Sequence, residues 1–170
     1  MCIRDRIIGG CSHPQASTTV ETPQAQAPAP EPPIGSPAAA AAQLIPVILS
    51  QLREEASHRP AGTPTVEEVL RALNDGGVPC YPGRQSLAVL TKADYCWHTK
   101  TKDDAIAFSI CEYTSTSAIE RSQHISLTEF PSIGERTFLV QGNTMMTIKV
   151  HKPGGEVTIE KVKELLASLH

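Results

Sequence analysis

The sequence predicts a small α+β domain over residues 63–170, with a four-stranded antiparallel sheet built from two hairpins and helices packed mainly on one face. The first observation is the order of hydrophobic patterns along these residues: helix, hairpin, helix, hairpin, helix. The second is that all seven aromatic residues lie between positions 81 and 138, whereas 10 of the 14 prolines occur by position 64. A chain with roughly 100 foldable residues buries one modest core, so a single domain is predicted.

An amphipathic helix is predicted over residues 43–60, just before this domain. Its apolar stripe at helical spacing consists of Ile45, Ile48, Leu49, Leu52 and Ala56. Pro46 falls in the first turn, where proline is tolerated. The polar face carries Arg53, Glu54 and Glu55 and is therefore not basic. Packing on the domain is favoured over lying on a membrane surface, because membrane-surface helices are rich in Lys and Arg.

The second helix begins with a capping box. Thr65 and Glu68 have the spacing at which each side chain covers the other residue's exposed backbone amide. Apolar residues then follow at helical intervals until Gly76-Gly77 ends the helix. The apolar segment Ser86–Thr91 is too short to assign to a helix or a strand.

The first hairpin pairs Tyr95–Thr101 with Ala105–Tyr113 around a turn at Asp103-Asp104. Large apolar residues alternate with small ones along the second strand, as expected for a half-buried strand. A helix is predicted within Thr114–Leu127, where Ser117 and Glu120 have capping spacing.

The second hairpin pairs Arg136–Gln141 with Thr144–His151. Gly142-Asn143 forms its tight turn, because both residue types tolerate positive φ. A final helix follows, with Thr158 as its candidate cap. The buried face of this helix would contain Ile159, Val162, Leu165, Leu166 and Leu169.

Three cysteines lie in the predicted domain, and the hairpin register selects one pair. If Asp103 and Asp104 are the central turn residues, Cys96 faces Cys111 on the neighbouring strand. Facing β-carbons are slightly far apart for a disulfide, so this pairing needs local distortion or a non-hydrogen-bonded position. A bond from Cys80 to either partner, or no disulfide at all, remains open.

The same cysteines suggest an alternative chemistry. Cys80, Cys96 and Cys111 together with His98 would supply the thiolate and imidazole ligands that suit zinc or copper. However, Cys96 and His98 are two residues apart on a strand and no second close pair accompanies them, so the pattern is weaker than a zinc knuckle. No catalytic motif occurs, and the sequence therefore predicts neither an enzyme nor a cofactor.

The most specific short motif is Ile8-Gly9-Gly10-Cys11, followed by the polar Ser12. It resembles the lipobox of bacterial lipoproteins. The resemblance implies that Cys11 is acylated and becomes the first residue of the mature chain. Only ten residues precede Cys11, and Met1–Arg6 is charged where a signal peptide should be apolar. Residues 1–11 are therefore interpreted as a truncated or chimeric signal peptide.

Residues 12–42 are predicted to be a disordered tether. They contain seven prolines, nine alanines, two charged residues and no aromatic residue, which is too little apolar surface to offset the chain entropy. A lipidated cysteine, a Pro/Ala spacer and a folded domain form the layout typical of lipoproteins. The alternative is an ordinary disordered tail without an anchor.

These features together predict a lipid-anchored protein of the bacterial cell envelope whose domain is an interaction or structural module. Its partners would be the membrane, through the anchor, and an envelope protein. Ser12 after the cysteine implies, by the resemblance, the outer membrane with the domain facing the periplasm. Residues 63–170 hold 11 Lys/Arg against 13 Asp/Glu without a basic run, which argues against nucleic-acid binding. The alternative is a periplasmic thiol or metal-binding protein that uses Cys80, Cys96, Cys111 and His98.

Overall fold

The structure is a computed structural model that describes residues 37–60, 63–153 and 155–169. The predicted signal remnant, Cys11 and most of the predicted tether lie outside the described residues. The first helix begins at Pro37. Residues 37–42, which were predicted to belong to the disordered tether, are therefore helical in the structure.

The described residues form an α+β fold with a single five-stranded antiparallel sheet in the order β1-β2-β3-β5-β4. In chain order the elements are α1 Pro37–Ser57, α2 Val66–Asp75, β1 Arg84–Ser86, β2 Tyr95–Lys100, β3 Ile106–Glu112, α3 Thr116–Glu129, β4 Thr137–Gln141, β5 Thr144–Val150 and α4 Gly155–Ala167. Short 3₁₀ turns span Ala88–Thr91 and Pro131–Ile133. The predicted class is confirmed, but the predicted four strands are five. The additional strand, β1, is a three-residue edge strand without an alternating pattern.

The capping box of α2 is present as predicted. Thr65 Oγ1 accepts a hydrogen bond from the Glu68 amide, and the Glu68 carboxylate accepts one from the Thr65 amide. The other helix starts differ from the expectation. Ser115, and not Ser117, caps α3, and α4 begins at Gly155, which places Thr158 inside the helix.

The first hairpin has the predicted register, in which Cys96 faces Cys111 and Trp97 faces Ile110. Its turn is closed by Thr101, whose carbonyl accepts a hydrogen bond from the Asp104 amide. The second hairpin joins β4 to β5 at Gly142, which has a φ of 54°. A side chain at Gly142 would collide with the carbonyl oxygen of Thr63, so only glycine fits where the segment before α2 crosses this turn.

One face of the sheet is closed by α2 and α4, and we call it the α2–α4 face. Its side chains on the central strand β3 are Ile106, Phe108 and Ile110, all at most 2% exposed. They pack with residues of the two helices in one apolar cluster that includes Leu73 and Val162. Burial of large apolar side chains is the main source of stability on this face.

The opposite face is covered by α3 and the 3₁₀ turn Ala88–Thr91, and we call it the α3 face. Here Cys111, Tyr113 and Met145 are buried against Ala118 and Ile119 of α3. The prediction that helices pack mainly on one face is therefore wrong. The alternate residues near the end of β3 are also apolar, and α3 buries them.

Helix α1 contacts the domain through polar groups, although its apolar stripe was predicted to pack. The buried Glu55 carboxylate accepts hydrogen bonds from the amides of Ala88 and Val89, which begin a 3₁₀ turn and lack partners within it. Apolar side chains of α1 that remain 40% to 64% exposed are Leu44, Ile45, Val47, Ile48 and Leu49. Within residues 37–169 as described, no helix combines the length and hydropathy that a bilayer crossing requires.

Candidate functional site

A cavity of about 310 Å³ lies on the α3 face, between the 3₁₀ turn Ala88–Thr91 and the end of α3. Its volume is at the lower end of the roughly 300–1,000 Å³ found for small-molecule sites. It is lined by Ser86, Leu87, Leu90, Thr91, Cys96, His98, Ala107, Phe108, Ser109, Ser126, Phe130, Ile133, Arg136, Thr147 and Lys149.

The floor of the cavity is formed by small side chains on the central strands. Ala107 and Ser109 lie on β3, and Thr147 lies opposite Ser109 on β5. Alternation along β3 directs Ile106, Phe108 and Ile110 to the other face, so the small residues between them face the cavity. The cavity therefore exists because the residues of β3 that face it are small.

The walls are apolar and come from the two 3₁₀ turns and the segments that flank them. Leu87 and Leu90 form one wall, and Phe130 and Ile133 form the other. Leu90 is 59% exposed and Ile133 is 41% exposed. Large apolar side chains thus remain accessible to solvent on both sides of the opening.

Two basic residues, Arg136 and Lys149, line the cavity together. Arg136 directly precedes Thr137, the first residue of β4, and Lys149 directly follows Ile148, the β5 residue that Thr137 faces. Arg136 donates to Ser126 Oγ (3.1 Å) and to the Phe130 carbonyl oxygen (2.8 Å). Its Nε is buried without a hydrogen-bond partner. No described carboxylate forms a salt bridge with either cation.

His98 lies on the cavity floor at strand β2, opposite Ser109. The residue as a whole is exposed, but the imidazole is desolvated against its surroundings. This desolvation, followed by the positive charge of Arg84, lowers the pKa of His98 from its usual 6.5. His98 is therefore neutral at pH 7 and adds a polar group to the cavity without adding a charge.

Cys96, one half of a disulfide, lines the cavity. Cys96 and Cys111 are joined, the pair that the hairpin register predicts, with 4.2 Å between their α-carbons. The Thr101 amide donates to Ile106, and counting back along the antiparallel ladder places the cysteines at a non-hydrogen-bonded position. That is the position at which facing residues come close enough for a cross-strand disulfide.

Cys80 lies apart from the other sulfur atoms. It belongs to the apolar cluster of the α2–α4 face, whereas Cys96, Cys111 and His98 belong to the α3 face. Burial raises the pKa of Cys80 to about 11, so its thiol is protonated at neutral pH. Among the described residues no group of three His, Cys, Asp or Glu side chains is placed to hold a metal ion.

A second polar cluster joins the segment before α2 to the sheet. Glu112 is fully buried, accepts a hydrogen bond from the Val66 amide at the start of α2 (2.6 Å), and binds Arg59 Nε (2.6 Å). Arg59 also binds Glu67 and stacks 4.3 Å from the ring centre of Tyr95. The hydrogen bonds that Arg59 donates to Glu112 and then to Glu67 raise the pKa of Arg59, and the bond from Arg59 lowers the pKa of Glu67.

This cluster has a structural role. Glu112 caps the start of α2, and the adjacent Tyr113 is fully buried with its hydroxyl 2.8 Å from Ser122 Oγ. Both side chains therefore stabilise the fold and do not line the cavity.

Sequence reasoning named Cys96, Cys111 and His98 but missed most of the cavity. The cations Arg136 and Lys149 are 13 positions apart in the chain and carry no motif. The signal that could have revealed the cavity is the small residue at every second position of the strand from Ala105, a pattern interpreted as that of a half-buried strand. Comparison of the chain with protein-family models, with curated proteins and with solved structures finds no match in any of the three.

Proposed function

We propose that this protein is a lipid-anchored component of the bacterial cell envelope, attached through Cys11 to the outer membrane with its domain in the periplasm. The domain is a non-catalytic binding module at the end of the tether. Attachment through Cys11 rests on the resemblance of residues 8–11 to a lipobox.

The observation that carries this proposal is the buried disulfide of the domain. Cys96 and Cys111 are 1% and 2% exposed and join neighbouring strands inside the α3 face. Structural disulfides of this kind form in oxidising compartments and are rare in the cytosol. The disulfide therefore supports export, which a lipobox also implies.

The sulfur chemistry supports binding over catalysis. Cys96 and Cys111 are joined in a disulfide, so neither has a free thiolate that could act as a nucleophile. Cys80 is buried with a raised pKa and donates to the Val78 carbonyl oxygen on the other face. The geometry consequently does not favour the thiol or metal protein that Cys80, Cys96, Cys111 and His98 suggested.

The test is metabolic labelling of cells that express the gene from its own upstream region. We expect radioactive palmitate to label the wild-type protein and globomycin, which inhibits the lipoprotein signal peptidase, to block its processing. Cys11→Ser should abolish the label. Cys2→Ser is the matched control and should keep it, because Cys2 precedes the proposed cleavage site.

An unlabelled wild-type protein in the soluble fraction would contradict the anchor. Thiol trapping in the same cells tests export independently of lipidation. Cys96 and Cys111 should be blocked to alkylation until a reductant is added, while unfolding alone should expose Cys80. If all three thiols react after unfolding without reductant, the proposed oxidising compartment is wrong.

A further inference from the structure

We propose that the cavity on the α3 face is a binding site for a small amphipathic carboxylate, with the carboxylate at Arg136 and Lys149 and the apolar chain between the two 3₁₀ turns. The inference rests on the proposed function only in treating the domain as a binding module. It is independent of acylation at Cys11.

The sheet leaves room for a ligand because the side chains on the floor of the cavity are small. Ala107 and Ser109 occupy the floor positions of β3, while residues of the same strand on the other face are Ile and Phe. A volume of about 310 Å³ accommodates a chain of several carbon atoms but not a folded peptide segment.

The walls of the cavity are apolar on both sides. Leu90 and Ile133 are large and exposed where they line the cavity, and Leu87 and Phe130 lie next to them. Covering these side chains with an apolar chain removes their surface from water, which favours binding in proportion to the area buried.

The cavity is positively charged where Arg136 and Lys149 line it. Arg136 directly precedes strand β4 and Lys149 lies on the neighbouring strand β5, and both residues line the cavity. Lys149 is half-buried and Arg136 Nε is buried without a partner. Of the described residues that line the cavity none is acidic. An anionic group bound in the cavity beside these two side chains would form charge-assisted hydrogen bonds with them.

The small floor residues, the apolar walls and the two basic side chains together define the chemistry of the ligand. A carboxylate supplies the acceptor oxygens that fit a guanidinium and an ammonium group, and the adjoining chain must be apolar and short. A cation of the same chain length would fit the walls but would be repelled by Arg136 and Lys149. Charge discrimination at constant chain length is therefore the diagnostic property of the site.

The experiment is calorimetric titration of the full chain, prepared with its disulfide intact, with octanoate and with octylammonium. We expect octanoate to bind and octylammonium to bind at least about tenfold more weakly, because charge-assisted hydrogen bonds form only with the carboxylate. Equal affinities for the two ligands, or no octanoate binding by folded protein, would overturn the proposal.

Two variants locate the site, and a third controls for net charge. Lys149→Gln should weaken octanoate binding about tenfold, and Ala107→Leu should abolish it by filling the floor. Lys161→Gln changes the net charge equally on the exposed side of α4 and should leave binding unchanged. Thermal melts verify that each variant is folded. Full octanoate affinity in both folded cavity variants would show that the ligand binds elsewhere and would refute the assignment.

Discussion

The two faces of the sheet share their strands but differ in how they are filled. The α2–α4 face is closed by two helices over large aliphatic and aromatic side chains. The α3 face is closed only in part, by α3 and the 3₁₀ turn Ala88–Thr91, and the remainder is an open cavity lined by two basic side chains. Strand β3 contributes alternate residues to both faces, so one strand specifies a core on one side and a cavity on the other.

Stability and accessibility are divided between the two faces of the sheet. Large buried side chains stabilise the α2–α4 face through the hydrophobic effect. The α3 face has fewer of them and adds a covalent cross-link, which stabilises the fold without filling space. Substitutions that act on each face separately therefore test the division.

The largest effect is expected for Ile110→Ala on the α2–α4 face. Ile110 is fully buried, and its truncation should lower the free energy of unfolding by about 3 kcal/mol through lost burial and the resulting void. Urea denaturation measures the change. Its neighbour Ser109 on the cavity floor is the matched control, and Ser109→Ala should stay within about 0.5 kcal/mol. Similar losses for both variants would mean that the two faces are packed alike.

Removal of the disulfide should have an effect of similar size, slightly smaller. The double variant Cys96→Ala/Cys111→Ala releases a loop of 15 residues, and we expect a loss of about 2 to 3 kcal/mol by the chain-entropy argument. Cys80→Ala removes a thiol but leaves the disulfide intact, so this control should lose stability on addition of reductant as the wild type does. If reductant left the wild-type melting temperature unchanged, the disulfide would contribute nothing to the α3 face.

The third effect concerns the polar cluster that ties α2 to the sheet. Glu112→Gln removes a buried charge that binds Arg59 and the Val66 amide, and should cost about 2 kcal/mol because hydrogen bonds to charged groups are lost in a buried site. Glu67→Gln removes the exposed partner of the same arginine and should cost less than about 1 kcal/mol. Chemical denaturation at pH 7 compares them, and the reverse ranking would contradict the structural role of Glu112.

The smallest effect is a pH dependence that originates at His98. Because the folded-state pKa of His98 lies below its usual 6.5, the unfolded chain binds more protons in the window just below pH 6.5. The contribution of His98 to the stability of the fold is therefore fully present above pH 6.5 and is lost as the pH falls below that value. Melting temperatures at pH 7.5 and 5.5 should show a smaller decrease for His98→Gln than for wild type. An identical decrease in melting temperature for both proteins would refute the lowered pKa of His98.

The sequence predicted the features that depend on local spacing. The capping box at Thr65, the hairpin at Asp103-Asp104 and its register follow from residues that are close in the chain. The register in turn predicted the pairing of Cys96 with Cys111. These features are set by turn chemistry and by the two-residue period of a strand.

The features that escaped prediction depend on contacts between distant segments. Strand β1 is three residues long and exists because it pairs with β2, and Glu55 binds amides more than 30 residues away. The cavity is lined by residues from the end of α3, from the segment before β4 and from β5. The positions of Arg136 and Lys149 in the chain therefore do not show that both line it. The side of the sheet on which α3 lies was predicted wrongly for the same reason, because an apolar helix face fits either side of a sheet.

The most direct test of the division between the faces is to map octanoate binding residue by residue with amide chemical shifts of the full chain. We expect concentration-dependent shifts confined to the α3 face, at Ala107, Ser109, Arg136, Thr147 and Lys149, and unchanged resonances in α2 and α4. Shifts centred on α2 and α4 would contradict the assignment of one face to stability and the other to binding. An unperturbed spectrum of the folded protein would also contradict it.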